Sequence, residues 1–172
     1  MTISIGQKAP TFNLFDSDKK NINSASFAGH PVLILFFPFS FSSVCTAELC
    51  GVRDNLQMYN NANVSVVGIS VDSLYTLHQF KKEQQINFTL LSDFNKTVSK
   101  NFGVLYDIFP AFQMQGVSKR AAFIIDKNGL IQYTEICATP GDMPDFAAIQ
   151  SKIASLQQTL AEQRALLTWL FY

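Results

Sequence analysis

The chain has 172 residues, 48% of them hydrophobic and 15% charged, which suits one domain with a substantial core. Its 13 basic and 13 acidic side chains cancel, so the net positive field that attracts nucleic acid or anionic lipid is missing. No segment is long and apolar enough to span a bilayer, and Met1 to Pro10 lacks the basic start and apolar stretch of a secretory signal; a soluble, cytoplasmic protein is expected. In chain order, Phe12 and Leu14 alternate with polar residues ahead of Asp16-Ser17-Asp18 and Ile22, a hairpin pattern expected to cover one end of the domain. Val32 to Phe37 is an unbroken apolar run stopped by Pro38, the pattern of a strand buried on both faces of a parallel sheet. Leu49, Val52, Leu56 and Tyr59 predict a helix over 46–59, and a second apolar run follows over 64–71. Strand, helix and strand make a βαβ unit, which places the loop between Phe37 and Thr46 at the carboxyl end of the first strand, where ligand sites gather. Asp72-Ser73 predicts a cap for a helix to about Gln84; residues 88–91 read as a strand, and 95–102 as a small helix closed by Gly103. Residues 120–125 and 130–136, joined by Asp126-Lys127-Asn128-Gly129, predict a β-hairpin with Asn-Gly supplying positive φ. From Phe146 onward, Ile149, Ile153, Leu156, Leu160, Arg164 and Leu167 line one face of a long C-terminal helix. The expected architecture is α/β: one domain over 1–172, with 155–172 as a helical extension.

Chemistry concentrates after the first buried strand. Pro38-Phe39-Ser40-Phe41-Ser42-Ser43-Val44-Cys45 delivers a thiol to the start of a helix, where unpaired amides and the positive dipole end favour thiolate. Cys45 is therefore a candidate nucleophile, although free cysteine is also a common core residue. The other two cysteines are Cys50 and Cys137. His30 and His78 share no motif with any cysteine, and no spacing resembles a zinc site, so no metal is expected. No Gly-rich phosphate loop is present, and no cofactor is expected.

The spacing Pro38, Ser42, Cys45 resembles the peroxiredoxin signature: a proline, three residues, Thr or Ser, two residues, then the attacking cysteine. Five further blocks stand in family order and spacing: Cys45 to Asp54, Val67 to Ser70, Phe88 to Asp93, Phe102 to Val104 and Arg120 to Asp126. Together they resemble the bacterioferritin-comigratory, or Q-type, branch from about Gly6 to Ile136. The resemblance implies a thioredoxin-like fold, a central mixed sheet flanked by helices, and a thiol peroxidase. Cys45 would attack a hydroperoxide and become a sulfenic acid. Ser42 and Arg120 would stabilise charge as the O–O bond breaks, with Pro38 shielding the pocket. Ser42 stands where threonine is commoner, keeping the hydroxyl but losing the methyl that restrains it. Taken alone, Ser42 reads as a loop hydroxyl bonded to backbone and Arg120 as a surface ion-pairing residue; the catalytic reading rests on their combination with Cys45. Glu48, one turn after Cys45, could orient Arg120 or simply favour the helix N-terminus.

Cys50 resembles the resolving cysteine of the Q-type branch. Five helical residues separate two Cα atoms by ~8.6 Å, beyond the ~7 Å limit for a disulfide, so a Cys45–Cys50 bond requires local unwinding. Thioredoxin or a similar dithiol protein would then be the reductant. Resolution by an external thiol is the alternative, and Cys137 reads as a buried structural cysteine with a resolving role as the minor option. A thiol–disulfide reductase would normally carry Cys-x-x-Cys, and a peroxide-sensing partner protein would use the same oxidised cysteine to signal. Phe36, Phe37, Phe39 and Phe41 suggest an apolar surface for alkyl hydroperoxides beside hydrogen peroxide. The tail from about Gln157 to Tyr172 departs from the family and packs either on its own domain or on a second copy, giving a monomer or a homodimer.

Overall fold

A computed structural model of the protein describes residues 3–170, with side chains described for 3–159 and for Ala161. In chain order the elements are β1 (Asn13–Asp16), β2 (Asn21–Asn23), β3 (Val32–Phe36), α1 (Ser43–Asp54), α2 (Leu56–Asn61), β4 (Ser65–Ser70) and α3 (Leu74–Glu83). There follow β5 (Thr89–Ser92), α4 (Thr97–Asn101), β6 (Leu105–Ile108), β7 (Gln115–Ser118), β8 (Ala121–Ile125), β9 (Ile131–Ile136) and α5 (Phe146–Leu170). Seven strands form a mixed sheet in the order β2-β1-β5-β4-β3-β8-β9. β3 runs parallel to β4 and antiparallel to β8, so the expected βαβ unit is present.

The apolar run of β3 is buried at every position because both faces are covered. Leu33, Leu35 and Phe37 join one cluster with Leu49 and Val52 of α1, Leu77 and Phe80 of α3, and Ile149 and Ile153 of α5. Val32, Ile34 and Phe36 join the opposite cluster with Phe12, Val98, Phe102 and Phe123. Alternation along a strand, with a layer on each side, thus converts a continuous apolar sequence into a three-layer sandwich. No described helix is long and apolar enough to cross a membrane.

Three local expectations are corrected, and one hairpin is new. The N-terminal hairpin extends the sheet edge, with β1 antiparallel to β5, rather than covering one end of the domain. The helix expected over 46–59 begins earlier, at Ser43, and breaks at Asn55, whose φ of −109° and ψ of 11° separate α1 from α2. The apolar stripe bridges this break, since Leu49, Val52 and Tyr59 are all buried, so periodicity alone did not disclose it. In the β8–β9 connection only Gly129 has positive φ, and Asp126 Oδ1 accepts the Asn128 and Leu130 amides. The expected hairpin forms, with its connection pinned by the Asp126 side chain and its positive φ supplied by the glycine alone rather than by the Asn-Gly pair. The β6–β7 hairpin was not anticipated: positive φ at its tip falls on Phe112 and Gln113, with no Gly or Asn to announce a turn there. The predicted stripe of α5 holds at Ile149 and Ile153; Leu160, Arg164, Leu167 and the apolar tail lie outside the described side chains.

Gly68 of β4 sits opposite Leu35 and Leu90, and a Cβ there would lie 2.7 Å from Leu90 Cδ2 and 3.3 Å from the Phe37 ring. Both neighbours are fully buried and cannot swing aside. Gly68→Ala is expected to destabilise the fold by about 1–3 kcal/mol through overpacking, read as a lower urea midpoint at unchanged slope.

Candidate active site

The loop after β3 is held by its own polar groups. Phe37 donates its amide to Ile69 O at 3.1 Å, extending the sheet by one residue, and buried Pro38 then ends the strand. Asp72 at the end of β4 reaches across: its Oδ2 accepts the Ser40 amide at 2.7 Å and the Ser70 hydroxyl at 2.9 Å. Phe41 turns the chain with a φ of +66°, an uncommon conformation for a bulky residue, and its ring rests edge-on against Phe80. Ser42 then returns to extended backbone and caps α1 through its carbonyl, which accepts the Thr46 amide at 2.9 Å.

Cys45 is thus the third residue of α1, inside the first turn whose amides have no helical acceptor, and only 1% exposed. Arg120 directly precedes β8, equally buried, with its carbonyl accepting the Cys137 amide at 2.9 Å. Its Nη2 donates to Cys45 Sγ at 3.3 Å and to the Pro140 carbonyl at 3.0 Å, while Nη1 donates to Glu48 Oε2. Burial opposes the Arg120 charge, but Glu48 and Cys45 hold its guanidinium above the ordinary value. For Glu48 burial dominates: it pushes the carboxyl up to about 7 against the pull of Arg120. Arg120 Nε and Glu48 Oε1 have no partner among the described residues, so the network's acceptor and donor capacity is not exhausted there.

The structure brings Cys45, Arg120 and Glu48 into direct contact, and the orienting arrangement of Glu48 on Arg120 is the one formed. Ser42 stands at the head of α1, but its hydroxyl donates to Phe39 O at 3.0 Å and makes no bond to Cys45. Cys50 lies in the same unbroken helix as Cys45, half-buried, its thiol directed at Gln84 Oε1 3.7 Å away. Cys137 is 8% exposed, and burial followed by the nearby Glu135 and Glu48 charges pushes its thiol up to about 11, which suits an inert thiol. Phe36 and Phe37 are fully buried core residues, so of the four rings expected around the loop only Phe39 and Phe41 border the surface. Phe39 packs edge-on against Phe109, which meets Tyr106 in turn. His30 and His78 bond to Ser65 and the Ser17 carbonyl, and the described residues hold no group of three or more metal-ligating side chains.

Sequence reasoning missed the Pro140 carbonyl. Thr139-Pro140-Gly141-Asp142 is a turn signature, but a backbone acceptor leaves no residue-specific trace to attach to Arg120. The assembled site is a buried thiol on helix amides, paired with a guanidinium that is itself fixed by a carboxylate and a carbonyl. Such a site can hold a thiolate and stabilise charge on an oxygen bound to it.

Comparison with known proteins places these residues among related sequences. The AhpC/TSA family profile matches residues 5–134. Peroxiredoxin Bcp of Escherichia coli K12 is 37% identical over 132 residues, 76% of this chain and 84% of that protein. The chloroplastic peroxiredoxin Q of Oryza sativa subsp. japonica is 36% identical over 131 residues, again 76% of this chain; the match spans 58% of the rice protein's length. Among solved structures, the reduced 2-Cys peroxiredoxin of Plasmodium vivax superposes with a TM-score of 0.79 at 31% identity, covering 91% of this chain and 98% of that one.

The raised Glu48 carboxyl has a definite pH signature. Its folded value of about 7 lies above the ordinary 4.5, so the folded protein binds a proton that the unfolded chain releases. The resulting stability is fully present below pH 4.5 and lost as pH rises through about 7. Urea unfolding across that window is expected to show wild type losing stability relative to Glu48→Gln, which has no proton to lose; parallel pH dependence in the two proteins contradicts the assignment.

Proposed function

The chain belongs to the AhpC/TSA family, and on that premise we propose that it is a thiol peroxidase, with Cys45 as the attacking thiolate. The observation that carries the reading is the 3.3 Å contact between Arg120 Nη2 and Cys45 Sγ in a site where both groups are buried. Thiolate Sγ attacks the terminal oxygen of a hydroperoxide. The S–O bond forms as the O–O bond breaks, and the leaving oxygen departs with a proton as water or alcohol, leaving a sulfenic acid on Cys45. Charge spreads over both peroxide oxygens at that moment, and Arg120 with the amides of the first turn of α1 is the preorganised donor set that meets it. Ser42 supports this set by fixing the loop through Phe39 O; a shift of its proton toward substrate is the further role that the family resemblance assigns it. Pro38 closes the base of the loop against water.

For resolution we take Cys50, on the same helix as Cys45, as the second thiol. Its thiolate attacks the Cys45 sulfenic sulfur, water leaves, and a disulfide forms once α1 has unwound between the two residues. A dithiol protein such as thioredoxin then reduces the disulfide. Cys50 is half-buried and hydrogen-bonded only weakly to Gln84, so its release is opposed by the packing of its helical neighbours Leu49 and Val52 rather than by its own hydrogen bond. With Cys45 only 1% exposed, hydrogen peroxide and slender alkyl hydroperoxides are the favoured substrates, with Phe39 and Phe41 nearby as apolar side chains that border the surface.

Two substitutions test the scheme by peroxide consumption with thioredoxin, thioredoxin reductase and NADPH. Arg120→Ala is expected to lower the second-order rate constant for peroxide about 10²–10³-fold, the usual effect of removing one transition-state donor. Cys50→Ser is expected to keep the first oxidation and lose thioredoxin-supported turnover. Unchanged turnover in Cys50→Ser would reassign resolution to an external thiol.

A further inference from the structure

We propose that the segment Thr139–Asp142 is a strap that positions Arg120 on Cys45, with the Pro140 carbonyl as its acting atom; the proposal rests on the role of Arg120 given above. One guanidinium nitrogen, Nη2, serves both Pro140 O at 3.0 Å and Cys45 Sγ at 3.3 Å. The carbonyl therefore selects the rotation of the guanidinium that directs this nitrogen at the thiol. A proline peptide places its carbonyl on a stiff backbone, since φ is fixed by the ring.

The strap is closed on itself, and the hydrogen bonds that tie its two ends involve no residue of α1. Asp142 Oδ2 accepts the Thr139 amide at 2.8 Å, Thr139 O accepts the Asp142 amide at 3.2 Å, and Thr139 Oγ1 accepts the Gly141 amide at 3.3 Å. Upstream, the Cys137 amide is bonded to Arg120 O. Downstream, the Asp145 amide donates to the Glu135 carboxylate of β9, with the shorter contact 2.9 Å, and Glu135 Oε2 accepts the Tyr133 hydroxyl at 2.6 Å. Asp145 then accepts the Ala148 amide in the first turn of α5.

That independence matters for the redox cycle. Glu48 and Cys45 both ride on α1, and a Cys45–Cys50 disulfide requires that helix to unwind, which carries away two of the three partners of a buried charge. Pro140 O stays with β8, β9 and α5. It keeps Arg120 solvated by a protein acceptor in the oxidised form and in register for the helix to rewind onto it.

Asp142 is exposed and touches neither Arg120 nor Cys45 by hydrogen bond, so it reaches the strap without entering the site. Asp142→Ala removes the acceptor of the Thr139 amide; Asp142→Asn keeps an acceptor and removes the charge. Around Arg120 and Cys45 the ionisable neighbours are Glu48, Tyr106, Cys137 and Asp142 itself, and only Asp142 differs between these variants. Two readouts are taken: the rate constant for hydrogen peroxide, and the pH profile of Cys45 alkylation by iodoacetamide, followed by mass spectrometry of the Cys45 peptide. Asp142→Ala is expected to slow the peroxide reaction about tenfold and to move the alkylation midpoint up by about one pH unit, the scale of one charge-assisted hydrogen bond. Asp142→Asn restores both to within about twofold of wild type on the same scale. An Asp142→Ala protein that matches wild type in both readouts overturns the proposal. So does an Asp142→Asn protein as impaired as Asp142→Ala, which would assign the effect to charge. Glu135→Ala, which releases the downstream tie, provides the second variant should Asp142→Ala fail to fold. If wild type itself proves unreactive toward peroxide, the peroxidase reading fails, while the alkylation profile still decides the strap.

Discussion

A guanidinium that is 1% exposed has given up its water and must find acceptors in the protein, and the arrangement around Arg120 follows from that requirement. Three acceptors converge on it from three directions: Glu48 from α1, Cys45 one turn earlier on the same helix, and Pro140 from the loop after β9. Each comes from an element that β3 helps to align. α1 begins just beyond the carboxyl end of β3; β8 pairs with it from Phe36↔Ala121 onward, so Arg120 stands beside the start of the active-site loop. The sheet therefore sets the position of the charge, and the charge sets what surrounds it.

The same arrangement contains an opposition. A continuous helix from Ser43 to Asp54 keeps Cys45 on unpaired amides and Glu48 on Arg120, which is the arrangement suited to peroxide attack. Disulfide formation with Cys50 requires that helix to come apart. The helix has Gly51 one residue after Cys50 and ends at Asn55, where α2 begins as a separate segment. A short helix with a break five residues beyond Cys50 has a modest energy of local opening, since few turns are lost with it. Leu49 and Val52, both buried against β3 and α5, are the side chains whose packing resists that opening.

Much of this was legible in residues. The apolar run at 32–37 read as a strand covered on both faces, and the helical spacing after Cys45 put that cysteine near a helix start. Glu48, at helical spacing from Cys45, was legible as a possible orienter of Arg120 but equally as a favourable charge at a helix end. What decides between these is burial, which a sequence does not display. The break at Asn55 was hidden because the core accepts Leu49, Val52 and Tyr59 across it. The turn at Phe112 and Gln113 was hidden because its positive φ falls on exposed residues with no glycine or asparagine to mark it. The direction of the Ser42 hydroxyl and the Pro140 carbonyl's contact with Arg120 are properties of backbone paths that no side-chain pattern encodes.

The central claim is that Cys45 is the atom that takes oxygen from a peroxide. The most direct test is a single turnover: reduced protein mixed with one equivalent of hydrogen peroxide, quenched rapidly and analysed by intact mass and peptide mapping. The account predicts oxidation confined first to Cys45, as a trapped sulfenic acid or as its disulfide with Cys50, and no oxidation in Cys45→Ser. Oxidation appearing first at Cys50 or Cys137, or proceeding at the same rate in Cys45→Ser, would contradict it.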